Sequence, residues 1–220
     1  MLYSLIVKDL LIQKRYVAFS LLYLLALIFA FQNMESVVFS AAATGVVYIL
    51  LTTSCAYDEK NKTDIMINSL PIKRSQVVAA KYLAVYVFFL MATVGYIIFS
   101  NLLLLSGAPI KVYPMTLDSF MVGMVAISIM TGLNLPVFFK FGFAKSRIVG
   151  FLLFFCLFFG VSYIMKVFQE WERVALDGAI TKFIWSQGDV VILLLKAVAL
   201  LAFIALSYGL SVKFYKNREF

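Results

Sequence analysis

Side chains able to do chemistry are scarce in this chain, and none of them groups into a familiar catalytic set. There is no histidine, which removes imidazole general bases, Ser-His-Asp triads and His-ligated zinc. The two cysteines, Cys55 and Cys156, both fall inside apolar runs, where a free thiol acts as a small hydrophobe rather than as half of a disulfide. One stretch, "KFGFAKSR" (140–147), has the Lys-Ser pair of a phosphate cradle. It lacks the second glycine and the preceding strand that such a loop needs, and it reads as a basic turn. The chain is expected to hold no cofactor and to hydrolyse no ATP on its own.

The remaining polar side chains stand out because of where they sit. Lys196 and Asn134 lie inside apolar runs. An intramembrane lysine either lines a cavity or snorkels to the headgroups, and an intramembrane asparagine either contacts a substrate or bonds a neighbouring helix. Both are candidate pathway residues. The longest water-compatible stretch is "AYDEKNKTDIMINSLPIKRSQVVAAKY" (56–82), which carries charges of both signs and a proline.

The elements that must position these residues follow from composition. Of 220 residues, 64% are hydrophobic and 14% charged, with a mean hydropathy of +0.99. A soluble domain is about a quarter charged, so the natural solvent of this chain is a bilayer. Crossing about 30 Å of hydrocarbon takes roughly 20 apolar residues of helix. Six runs of that kind occur, at 16–34, 36–57, 82–107, 119–139, 148–166 and 190–212. They lack the alternation of a transmembrane barrel. The expected fold is a single all-α integral membrane domain with six transmembrane helices.

Lysine and arginine set the direction. With both termini placed in the cytoplasm, fourteen basic residues fall inside and four outside (Lys111, Lys166, Arg173 and Lys182). This is a strong positive-inside bias. It also accounts for the net charge of +8 without nucleic acid. The N-terminal residues place charge after apolar residues, the reverse of a cleavable signal peptide. Residues 1–15 are expected to form an amphipathic helix at the inner interface, or else a plain cytoplasmic extension of the first span. Residues 167–188 are expected to form short outer helices. Phe168, Trp171 and Trp185 there are either headgroup anchors or an external gate.

The segment 58–81 then becomes the largest cytoplasmic loop. Within it, Ile65, Met66 and Leu70 recur at helical spacing, acidic residues come early, and Pro71 ends the helix. Such a helix rests on lipid, docks into a groove on a soluble partner, or serves as a plain connection.

"SLPIKRSQVVAAKYL", following "YDEKNKTD" between a second and a third span, resembles the first cytoplasmic loop of small type 2 ABC exporter permeases. Among these it is most similar to the short permeases that export phenol-soluble modulins and antimicrobial peptides. The resemblance extends over the length, the six spans, the inside termini and the helix before the first span. It implies that Glu59, Asp64, Ile65, Met66 and Leu70 contact a separate ABC ATPase, which binds ATP and Mg. It also implies a second permease subunit, an amphipathic peptide substrate and a place in the bacterial cytoplasmic membrane. Lipids or hydrophobic drugs would suit the same apolar pathway. A non-transporting helper or sensor docking a cytoplasmic partner is the rival from another class. The six runs contain no Asp or Glu, which weakens an ion-coupled carrier and an intramembrane metalloenzyme alike.

Overall fold

The computed structural model describes residues 2–30, 38–106, 111, 113–156 and 189–218. Within them the chain is helical and contains no strand. The helices are α1 (Leu2–Ala30), α2 (Val38–Lys60), α3 (Thr63–Asn68), α4 (Arg74–Leu105), α5 (Leu117–Phe141), α6 (143–156) and α7 (Asp189–Lys216). Long apolar helices follow from the solvent. In hydrocarbon, every backbone N–H and C=O must be satisfied within its own segment.

Among the described residues, four helical segments are long and apolar enough to cross a membrane: Val38–Lys60, Arg74–Leu105, Leu117–Phe141 and Ala197–Lys216. The run 16–34 is helical as far as Ala30, and the run 148–166 as far as residue 156; the rest of each lies outside the described residues. So do the expected outer helices at 167–188, with Phe168, Trp171 and Trp185.

The helix α2 occupies the centre and packs against α1, α4 and α5. Its first half, Ser40, Ala41, Ala42, Ala43, Thr44 and Gly45, is small and buried, which lets neighbouring backbones come close. Large rings fill the space left over. Phe39 meets Phe89, Tyr96 and Phe120 at centroid distances of 5.1–6.4 Å. The helix α7 closes on α5 and α4. Gly132 permits this, because a Cβ there would lie 2.4 Å from the Phe203 ring. On α4, Leu83, Leu90, Val94 and Ile97 form an exposed apolar stripe facing away from the bundle.

Helix ends carry local signals. Thr116 and Ser119 form a reciprocal capping box at the start of α5. That helix continues unbroken through Pro136. It stops at Gly142, whose φ of +83° suits glycine, and α6 begins at the next residue.

At the N-terminus the structure matches the second reading, an extension of the first span, rather than a separate elbow. Residues 2–15 are no separate interfacial helix, because α1 is continuous from Leu2 to Ala30. No glycine or proline interrupts it, and its N-terminal half is held against the bundle. Asp9 and Gln13 are buried, and Gln13 Nε2 donates to the Leu50 carbonyl at 2.6 Å.

Candidate docking surface

The two-residue turn Asn61–Lys62 links α2 to α3, with Lys62 in the left-handed region (φ 49°, ψ 39°). That conformation is unfavourable for a residue with a Cβ, and it redirects the chain from α2 into α3. Helical spacing then divides the side chains of α3. Ile67 is 7% exposed and packs with Leu5 of α1 and Ala80 of α4. Ile65, Met66 and Leu70 are 54%, 71% and 50% exposed. On α3 one apolar residue is packed down while Ile65 and Met66 are exposed, with Leu70 exposed just past its end.

The acidic residues of the loop turn inward. Asp64 accepts a hydrogen bond from the Tyr215 hydroxyl at 3.2 Å, and Arg218 lies 3.7 Å from its other oxygen. Burial pushes the Asp64 carboxyl above its usual range, against the opposing pull of Arg218 and Tyr215. Glu59 accepts the backbone N–H of Phe143, the first residue of α6. Arg74 donates to the Lys216 carbonyl at 2.7 Å. The loop therefore grips the end of α7 from two sides and caps the start of α6.

Beneath α3 lies a buried ionic cluster. The Lys81 ammonium is bonded to Asp58 at 2.5 Å and to Ser54 at 2.6 Å, with Asp9 at 3.4 Å. Lys8 reaches Asp58 at 2.7 Å and Asp9 at 3.2 Å. Two lysines thus balance two aspartates across α1, α2 and α4. Buried charges persist only when paired this way. The cavity beside them, lined by Lys8, Asp9, Asp58 and Lys81, measures about 20 Å³, room for little more than a water molecule. It is no ligand pocket.

These contacts collect the start of α1, the end of α2, the start of α4, the α5–α6 turn and the end of α7 at one charged end of the bundle. Residues expected to share one side of a membrane are together in space.

Of the candidate residues, Ile65, Met66 and Leu70 are each exposed, the first two on α3 and Leu70 just after it. Glu59 and Asp64 bind their own chain instead of offering free carboxylates. Asn134 is buried and exchanges two hydrogen bonds with Ser146 of α6, at 3.1 and 3.2 Å. It joins two helices. The side chain of Lys196 lies outside the described residues. "KFGFAKSR" begins in the last turn of α5 rather than after a strand, and its glycine is a helix stop, so it cannot cradle phosphate as a P-loop does.

Sequence reasoning did not find Ile67, Tyr215 or the Asp9–Asp58–Lys81 cluster. Asp58 and Lys81 were legible only as charges at the edges of apolar runs, the ordinary place for charges that set orientation.

A comparison with protein-family models matches residues 4–216 to the ABC-2 family transporter protein. Neither the curated proteins nor the solved structures yield a match to the chain. The family model spans nearly the whole chain and agrees with an all-helical bundle of long apolar segments, so this chain belongs to the ABC-2 family of transporter proteins and is a membrane-embedded permease.

Proposed function

We propose that this permease is the membrane half of an ATP-driven exporter and that α3 is the element through which a separate ATPase drives it. The observation that carries this is the two-sided character of α3. Its outer side presents Ile65, Met66 and Leu70, while its inner side is fixed through Ile67 and Asp64 to α1, α4 and α7. Apolar side chains kept in water on a helix fastened from behind suit a groove on a partner. A push on such a helix reaches the bundle directly.

In this reading the chain crosses the membrane six times, with both termini and α3 in the cytoplasm of a bacterium. Two permeases enclose the pathway at their interface. Two ATPases beneath them bind ATP and Mg. The substrate is an amphipathic peptide: the apolar runs carry no carboxylate, and basic residues crowd the charged end, so a peptide with one apolar face finds both environments it needs.

The test is Ile65→Ala combined with Met66→Ala. Burying one such side chain contributes about 1.5–3 kcal/mol, so the pair should weaken ATPase co-purification by at least tenfold while leaving membrane insertion intact. Hydrolysis by the intact complex should respond to amphipathic peptide and lose that response in the variant. An ATPase that still binds and responds would make the loop a linker.

A further inference from the structure

The basic turn "KFGFAKSR" plays no part in the reading above, yet its side chains are arranged. The Lys140 ammonium sits 4.8 Å from the Phe141 ring centre and 5.0 Å from that of Phe214 on α7. Lys145 lies 4.8 Å from the same Phe141 ring, and the Arg147 guanidinium 5.8 Å from Phe143. None of the three cations makes an ion pair among the described residues. No Asp or Glu occurs between Asp118 and Glu170, and Glu59, which reaches the turn from α2, is engaged with the Phe143 N–H. Two ammonium groups share one aromatic ring with no carboxylate between them. Cation–π contact is weak at exposed sites, so these exposed cations remain open to an anion.

The face that follows is apolar. Ile148, Phe151, Leu152 and Phe155 are all exposed on α6, at the spacing of one helical stripe. Lys145 lies three residues before Ile148, and Arg147 four before Phe151, so cations and stripe share a side of the helix. An anion held at Lys145 and Arg147 would have hydrocarbon directly beyond it.

We propose that the α5–α6 turn and the outer stripe of α6 form a binding site for an anionic phospholipid, its phosphate held by Lys140, Lys145 and Arg147 and one acyl chain laid along Ile148, Leu152 and Phe155. The apolar stripe selects a lipid over free phosphate, which has nothing to place there. It also selects a lipid over an acidic protein surface, which would meet the cations from the aqueous side and leave the stripe uncovered.

The test uses the full chain reconstituted in equimolar phosphatidylglycerol and phosphatidylcholine, with retained lipid counted by native mass spectrometry after extraction. The wild-type chain should keep phosphatidylglycerol in preference to phosphatidylcholine, and inorganic phosphate should not displace it. Replacing Lys140, Lys145 and Arg147 by Gln should lower retention roughly tenfold or more, since each basic residue near an anionic surface contributes measurably. Lys140→Arg with Lys145→Arg should preserve retention and shows that the turn tolerates substitution. Replacing Lys60, Lys62 and Lys73 by Gln removes the same charge from the neighbouring loop and should leave retention unchanged. Equal loss in both glutamine triples would reduce the effect to overall charge and overturn the proposal. Unchanged retention in the first triple would overturn it too, and a loss of ATPase capture in its place would reassign the turn as a protein-docking surface.

Discussion

The Tyr215 hydroxyl donates to the Asp64 carboxylate at 3.2 Å across 151 residues of sequence, and this bond ties the surface helix α3 to the last residues of α7. Since α7 also packs along α4 and α5, α3 is joined to both sides of the bundle through its rear face.

Tyr215→Phe removes that donor and keeps the ring. A hydrogen bond to a charged group contributes about 1.5–3 kcal/mol, less where water competes. Hydrogen exchange over residues 62–70 should quicken by about tenfold, while exchange in the cores of α2 and α4 stays as in the wild type. Unchanged protection of α3 would mean that the Tyr215 bond adds nothing to the hold of Ile67 and Arg218 on it.

Acidity should act on the same helix. Burial raises the Asp64 carboxyl, so the folded state takes up its proton at higher pH than the unfolded state. The penalty for ionised Asp64 is complete above the folded pKa and relieved as pH falls towards the unfolded value. Compared with Asp64→Asn, the wild-type chain should gain stability on acidification from neutral pH into the carboxylate range. Thermal unfolding of the two proteins in detergent across that range measures the difference, and parallel curves would refute the assignment.

Lys81→Met should be among the most damaging single changes. It leaves Asp58 and Asp9 buried with only Lys8 against them, and breaking a buried pair costs about 3–5 kcal/mol. Adding Asp58→Asn should recover part of the loss, because one stranded charge is removed. A double variant less stable than Lys81→Met would show that the cluster does not act as a unit.

Two glycines in membrane helices should differ sharply. Gly132→Ala places a methyl 2.4 Å from the Phe203 ring, whereas a Cβ at Gly209 meets nothing within 4 Å. Overpacking costs about 1–3 kcal/mol, so Gly132→Ala should lower the unfolding temperature in detergent. Phe203→Leu should restore much of it, and Gly209→Ala should be neutral.

Much of the helical framework was legible in the apolar runs, because a bilayer demands long helices and the chain shows where hydrocarbon begins and ends. A short helix in the loop was legible from the spacing of Ile65 and Met66, and both side chains are exposed on it. Two features were hidden for the same physical cause, namely that they depend on which helices pack together. Asp9, Asp58 and Lys81 are ordinary charges at helix edges until α1, α2 and α4 meet. Residues 2–15 look amphipathic, yet the polar positions Asp9 and Gln13 face partners on other helices. A local pattern of polar and apolar residues cannot separate a side facing water from a side facing a buried counter-charge.

The pairing of Lys8 and Lys81 with Asp9 and Asp58 has an electrical consequence. A membrane potential does work of about 2.3 kcal/mol on each unit charge per 100 mV, enough to bias any moving part that carries charge. These four side chains sum to zero. If α1, α2 and α4 shift together, the field exerts no net force on the cluster, and the voltage across a living membrane leaves this part of the bundle's motion alone.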